Sequence, residues 1–279
     1  MRQFIKTLTL GLASSAGMAL GIMQLSAATV YVGYEGGIRQ FDLAGNGSVF
    51  AHAAPGAQGA PTDLAADREG NLYASYYYFW GAPGSGTTAA IIKYDTAGNS
   101  SLFADVGADL GQSSGAANPN GLAFDYSGNL YVACHSGDGP ILRYGVGAGG
   151  GTVFATGTWG RGLAFDQAGN LFAPGGDYIL EFDPAGNSSV FATVGDGHLL
   201  AGDAFDSEGF LYAADPAFQT VWRFDQVGNP SVFGSGVDAY FLAFDGNDNL
   251  YVMSRDNPPG QVLKFDELGN RSVFADGLA

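Results

Sequence analysis

The chain has one cysteine, Cys134, among 279 residues, so no intramolecular disulfide can staple it and stability must come from packing. Basic residues are scarce, with eleven Lys and Arg against twenty-seven Asp and Glu. The resulting formal charge of −16 repels nucleic acid and anionic membrane, which makes polyanion binding the least compatible function. Past residue 28 there is no long apolar run and no helical periodicity, which argues against both a spanning helix and a helix bundle. Histidine is rare too: His52, His135 and His198 lie in separate segments. No metal-binding Cys/His spacing, Ser-nucleophile elbow or phosphate loop occurs.

What the chain does have is glycine and aromatics: 45 Gly, 20 Phe and 14 Tyr. Glycine without a triplet period signals many tight turns, and 46% hydrophobic residues suffice for a large core. The N-terminus reads differently. Arg2 and Lys6 precede an uncharged apolar stretch from Leu8 to Ile22, then small residues at Ser26, Ala27 and Ala28. This pattern predicts a signal peptide over 1–28, since the stretch is short of the ~20 apolar residues a spanning helix needs. Its removal takes away two positive charges, moving −16 to −18. The mature chain, 29–279, is expected to be secreted, periplasmic or at the cell surface, without membrane insertion. Export without disulfides fits a bacterial source.

Self-similarity dominates the rest. Gly121-Leu-Ala-Phe-Asp125 followed by Gly128-Asn-Leu-Tyr131 returns as Gly162 to Asp166 with Gly169 to Phe172. Variants end at Asp206 and Asp245, and these Asp positions lie 41, 40 and 39 residues apart. A second half-repeat, Phe41-Asp-Leu-Ala-Gly-Asn46 then Ser48-Val-Phe-Ala51, follows each first one. In five copies its two aromatic residues are nine positions apart, and in the sixth, Tyr144 to Phe154, ten. Each unit holds four short strand candidates, and Asp-x-x-Gly-Asn between strands one and two and between three and four suits hairpin turns. A period of ~40 residues with four strands predicts an all-β, six-bladed propeller of four-stranded antiparallel blades. The copies span about 29–51, 61–104, 119–155, 160–192, 200–234 and 239–275. The first lacks its inner strand. The tail 276–279 ends in Gly-Leu-Ala, the start of that strand, and either closes the ring or leads into a further blade or a sorting segment.

These motifs resemble the NHL-repeat propellers, and more distantly the gluconolactonase/regucalcin propellers. Asn120-Gly-Leu-Ala-Phe-Asp125 with Asn129-Leu-Tyr-Val-Ala-Cys134 is particularly similar to a blade of those lactonases. That resemblance implies a divalent cation, such as calcium, held at the channel by acidic and Asn oxygens from several blades. Only Asn120 matches. Arg161 brings positive charge, Ala201 and Tyr240 bring no carboxylate, and a hard cation wants several oxygens. No metal or cofactor is therefore expected. Asp245-Gly-Asn-Asp-Asn249 lacks the distal Glu of a calcium loop, and the repeat Asp residues are expected to bond their own turns.

The repeated Asp turns of a blade fall on one face, and the connections that vary in length fall on the other, where a ligand site is expected. Residues just before each inner strand, Thr62, Asn120, Arg161, Ala201 and Tyr240, are expected to ring the channel mouth, with Asp276 if the tail closes the ring. Blade two stands out, because Tyr73 to Tyr94 takes 21 positions against 10 to 14 elsewhere. Its insertion carries Tyr76 to Trp80, five aromatics in a row. They read as a sticky wall for a ligand or as a long hairpin that packs part of the cluster on its neighbour. Cys134 and His135 are neighbours on a strand and point to opposite faces, so a buried Cys and a solvated His are expected. The candidate ligand-binding residues are Asn120, Trp159, Arg161, His198, Tyr240, Tyr78 and Trp80, with no catalytic residue. The leading expectation is an exported, non-catalytic binding propeller whose partner is a small molecule, a carbohydrate or an envelope protein. A lactonase-like or other hydrolase at the channel, and a structural envelope protein, are the alternatives.

Overall fold

The structure, a computed structural model, describes residues 22–26, 29–80, 87–112, 117–147, 150–254, 260–276 and 278, with the backbone alone for 22–26, 79–80 and 87–88. It is an all-β propeller of six antiparallel sheets. Blade one is β1 (Ile22–Ser26), β2 (Thr29–Tyr34), β3 (Gly37–Asp42) and β4 (Gly47–His52). Blade two is β5 (Ala57–Gln58), β6 (Asp63–Ala66), β7 (Leu72–Trp80), β8 (Thr87–Tyr94) and β9 (Ser100–Asp105), followed by a one-turn helix, α1 (Val106–Asp109). Blade three is β10 (Pro119–Phe124), β11 (Leu130–Cys134), β12 (Ile141–Tyr144) and β13 (Thr152–Ala155). Blade four is β14 (Ala164–Phe165), β15 (Leu171–Pro174), β16 (Tyr178–Phe182) and β17 (Ser188–Thr193). Blade five is β18 (Asp203–Phe205), β19 (Leu211–Asp215), β20 (Thr220–Phe224) and β21 (Pro230–Ser235). Blade six is β22 (Ala239–Phe244), β23 (Leu250–Ser254), β24 (Gln261–Phe265) and β25 (Arg271–Ala275).

The repeat turns are local in origin. In Asp266-Glu-Leu-Gly-Asn270, Asp266 Oδ1 accepts the Leu268 and Asn270 N–H groups, and Oδ2 accepts the Asn270 amide at 3.0 Å. The same clasp recurs at Asp42, Asp95, Asp183 and Asp225, and these side-chain and backbone bonds hold all five carboxyls below the usual range. Asp245 is used in this way too, accepting from Asn247, Asn249 and Tyr251, so its oxygens serve the turn as expected. The turn glycine is required twice over. Gly228 has φ +85°, and a Cβ there would sit 2.1 Å from the Phe191 carbonyl of the preceding blade.

Neighbouring blades are joined by a repeated aromatic cluster. The strand-two ring takes edge-on contacts from the strand-four Phe of its own blade and the strand-one Phe of the next. Tyr73 meets Phe103 and Phe124, Tyr131 meets Phe154 and Phe165, and Tyr212 meets Phe233 and Phe244, all at 4.8–5.0 Å. Each such pair adds about 0.5–1.5 kcal/mol beyond the area it buries. Across the seam, Phe274 of blade six reaches Phe41 of blade one at 6.3 Å.

Three features differ from the sequence expectation. The inner position of blade one, which the sequence left unfilled, is taken by β1, from the segment just ahead of the expected cleavage point. β1 pairs with β2 and lies against the inner strands β6 and β22. Of the tail, Leu278 is buried and its N–H points to the Gly260 carbonyl at 3.4 Å. Blade two is five-stranded, because β7 runs on to Trp80 and its far end recruits β5, pairing Gln58 with Tyr78. The helix α1 is too short for periodicity to reveal, and Asp105 caps it by accepting the Ala108 N–H.

Candidate functional site

The antiparallel order of each blade puts both Asp turns at one end and the variable connections at the other, as the repeat predicts. At the variable end, residues from blades two, three and four converge. Tyr77, near the end of β7, donates its hydroxyl to Asn120 Oδ1 at the start of β10. Burial pushes the Tyr77 phenol up to about 12, partly opposed by the charge of Arg161. Asn120 is 5% exposed, and its Nδ2 has no hydrogen-bond partner among the described residues. His135, on the β11–β12 connection, is half-buried rather than solvated, and Trp159 meets its ring edge-on at 5.2 Å. Burial first, then Arg161, holds the His135 imidazole below its ordinary value. Trp159 itself is 61% exposed. Asn120, Arg161 and Trp159 thus belong to one cluster, joined by Tyr77 and His135.

His198 belongs to a second cluster, over blade five. Its Nδ1 bonds Asp215 Oδ2, and its ring stacks on the exposed Phe218 at 3.9 Å. Asp215 is fully buried and also accepts the Trp222 indole N–H at 3.1 Å and the Leu199 and Phe218 N–H groups. Four donors on one carboxylate make a latch that holds the blade four-to-five connection over the β19–β20 hairpin. They also fix the orientation of the imidazole.

The remaining predicted residues separate. Tyr240 is 9% exposed within β22, with its ring against Phe241 and its carbonyl accepting the Gly202 N–H, so it is packed between inner strands. Thr62 is buried, and its hydroxyl bonds the Pro119 carbonyl at 2.7 Å, tying blade two to blade three. The aromatic run of blade two divides along the strand. Tyr76 is fully buried on the Tyr94 hydroxyl, Tyr77 turns to Asn120, and Tyr78 is exposed. The Trp80 side chain lies outside the described residues.

Two buried carboxyls were not anticipated. Asp63 takes the position that is Gly121 and Gly162 in the next blades, and accepts the Leu64 and Leu122 N–H groups at 2.8 and 2.6 Å. Asp203 takes the position of Leu64, Leu122, Leu163 and Leu242. It is 4% exposed, and neither oxygen reaches a donor beyond its own backbone among the described residues. Burial drives both carboxyls well above the ordinary range, and Asp203 adds to the rise at Asp63. The signal was present as Asp-Ala-Phe-Asp in place of Leu-Ala-Phe-Asp.

The residues present do not fit the cation that the lactonase resemblance implies. Asn120 Oδ1 is engaged by Tyr77, Asp63 by two backbone donors, and the positive charge of Arg161 bears on Tyr77. Among the described residues no three His, Cys, Asp or Glu side chains gather as metal ligands. A cavity of about 300 Å³ lies at the blade six–one seam, lined by Arg39, Phe41, Phe274 and Asp276, away from both clusters.

No protein-family model and no curated protein matches the sequence. Solved structures do match. A chain of a nidogen–laminin complex superposes with a TM-score of 0.70 at 17% identity, covering 89% of this chain and 94% of that one. A virginiamycin B lyase from Staphylococcus aureus, crystallised as a catalytically inactive variant with quinupristin, gives 0.57 at 10%, covering 97% and 85%. A gluconolactonase from Xanthomonas campestris gives 0.54 at 16%, covering 75% and 83%. At these identities the likeness is one of fold: the chain shares its six-bladed propeller with enzymes and with a member of a protein complex.

Proposed function

We propose that the chain is an exported, non-catalytic binding propeller of the NHL-repeat type, which recognises a carbohydrate through the loops of its variable face. One observation carries the reading: at the variable end a guanidinium, Arg161, and a buried amide, Asn120, stand at the start of adjacent inner strands where Gly121 packs on Gly162, with the exposed indole of Trp159 two residues from Arg161. Polar groups that fix orientation beside an apolar ring surface are what sugar recognition requires. The exposed Tyr78 extends the same face. The partnership of the nidogen–laminin chain is a precedent for this fold working by association. The test is a glycan array probed with the wild-type chain and with Trp159→Ala and Tyr78→Ala. Glycans bound by wild type are expected to be lost or weakened at least about tenfold in Trp159→Ala, the scale of one buried contact residue. Unchanged binding in both variants would remove the variable face from the reading.

A second reading, a hydrolase, is favoured by the His198–Asp215 pair, since a buried carboxylate that orients an imidazole is the arrangement of a general base. The saturation of Asp215 by four donors favours the latch instead. An esterase and lactonase screen decides between them. Turnover that disappears in His198→Ala, with an unaltered melt, would establish the enzyme.

A further inference from the structure

The few cations of this acidic chain are nearly all committed. Of the described basic side chains, Arg39, Lys93, Arg143, Arg223 and Lys264 lie over Tyr or Phe rings at 3.7–6.0 Å. Arg271 donates to the Gly236 carbonyl, and Arg68 sits in an Asp turn on the opposite face. Arg161 is the exception. It is partly buried on a variable-face loop, and among the described residues no carboxylate or carbonyl takes its guanidinium.

Its neighbours make the absence of a counter-charge more pronounced. The imidazole of His135 and the phenol of Tyr77 both feel its charge. The two acids of this neighbourhood are both buried: Asp63 accepts from two backbone N–H groups of other residues, and Asp203 lies against Gly162 with its carboxyl driven well above the ordinary range by burial. Gly121 packs directly on Gly162, which sets the preceding residues, Asn120 and Arg161, at the start of adjacent inner strands; the Asn120 amide, only 5% exposed, has its Oδ1 filled by Tyr77 and its Nδ2 unused among the described residues. A guanidinium and an amide N–H without acceptors are donors waiting for an oxyanion, and a planar fork suits a carboxylate best. The exposed Trp159 ring, two residues before Arg161 and edge-on to His135, supplies an apolar platform at the same end of the blade.

We infer that this cluster binds the carboxylate of an acidic sugar, a single uronate unit, with Arg161 and Asn120 on the carboxylate and Trp159 on the ring. The inference rests on the carbohydrate reading of the variable face and gives it a ligand class. A terminal uronate fits better than a polyuronate, because the net charge of −16 repels a long polyanion while one local cation attracts a single charge.

The test is calorimetry on the purified full chain with a glucuronate-terminated disaccharide and with the same disaccharide after reduction of its carboxyl to an alcohol. The acid is expected to bind at least about tenfold more tightly than the alcohol, the scale of a charge-assisted pair. Arg161→Gln should abolish that preference, Arg161→Lys should keep part of it, and Trp159→Ala should weaken both sugars. An independent readout is the NMR titration of His135. Its pKa should rise when the acid binds, and rise in the unliganded Arg161→Gln variant, because each change offsets or removes the same positive charge. Equal affinity for acid and alcohol, or a His135 titration that the acid leaves unmoved, overturns the inference and leaves the carbohydrate reading standing. Failure of both sugars overturns it as well, and the glycan array then decides the broader reading separately.

Discussion

Replacing Asp203 by leucine should make this protein more stable. Asp203 stands where blades two, three, four and six carry Leu, and its carboxyl is buried against Gly162 of the neighbouring blade without an outside donor. An unsatisfied buried polar group costs about 1–3 kcal/mol. A buried Leu side chain contributes about 1.5–3 kcal/mol, against about 1–3 kcal/mol of strain where the added methyl groups crowd the site. The net gain is about 1–3 kcal/mol, or roughly 2–6 °C in Tm for a domain of this size. The pH dependence has a definite sign. Burial raises the folded pKa of Asp203, so above about pH 3.9 the folded state holds more protons than the unfolded one, and stability falls as pH rises toward the folded pKa. The slope reaches about 1.4 kcal/mol per pH unit for one such group. Asp203→Leu should therefore gain more at pH 8 than at pH 5, with Asp63 keeping part of the slope. Asp203→Asn should flatten the slope without the full gain in Tm, since it removes the titration and keeps an unsatisfied polar group. The assay is scanning calorimetry of the three proteins at both pH values. A lower Tm for Asp203→Leu at each pH, or an unchanged slope in both variants, would show the carboxyl to be partnered and refute the reasoning.

Two further predictions rest on burial and pairing. Cys134 is fully buried and its thiol is pushed up to about 12, so an aromatic disulfide reagent at pH 8 should leave it unmodified in the native protein and label it in guanidinium; rapid native labelling would mean that blade three opens locally. Cleavage at the expected point leaves a chain beginning at Thr29 without β1, which pairs Ile22 with Val32 and Gln24 with Val30, so that form should melt lower and exchange β2 amides faster than the longer chain; equal protection would show that another segment takes the inner position after cleavage.

The blade count, the turn chemistry and the assignment of faces were legible without coordinates. Each arises from contacts four residues apart or less, such as Asp266 to Asn270, and from a period that repeats them. A clasp that closes within its own turn depends little on the rest of the chain, so its sequence signature is complete. The candidate site was legible only as a set of names. Asn120, Arg161 and Trp159 could be placed at the variable end, whereas their link through Tyr77, 43 residues before Asn120, and His135 depends on how three blades pack. His198 carried no sign of Asp215, which lies across a hairpin, and Tyr240 was expected at the mouth although the approach of Gly202 buries it. The inner strand of blade one shows the same division. Local sequence shows that blade one lacks a strand, but pairing rests on backbone hydrogen bonds that any extended segment can offer. Which segment fills the position is decided by the closed ring, where β1 reaches β2, β6 and β22 together.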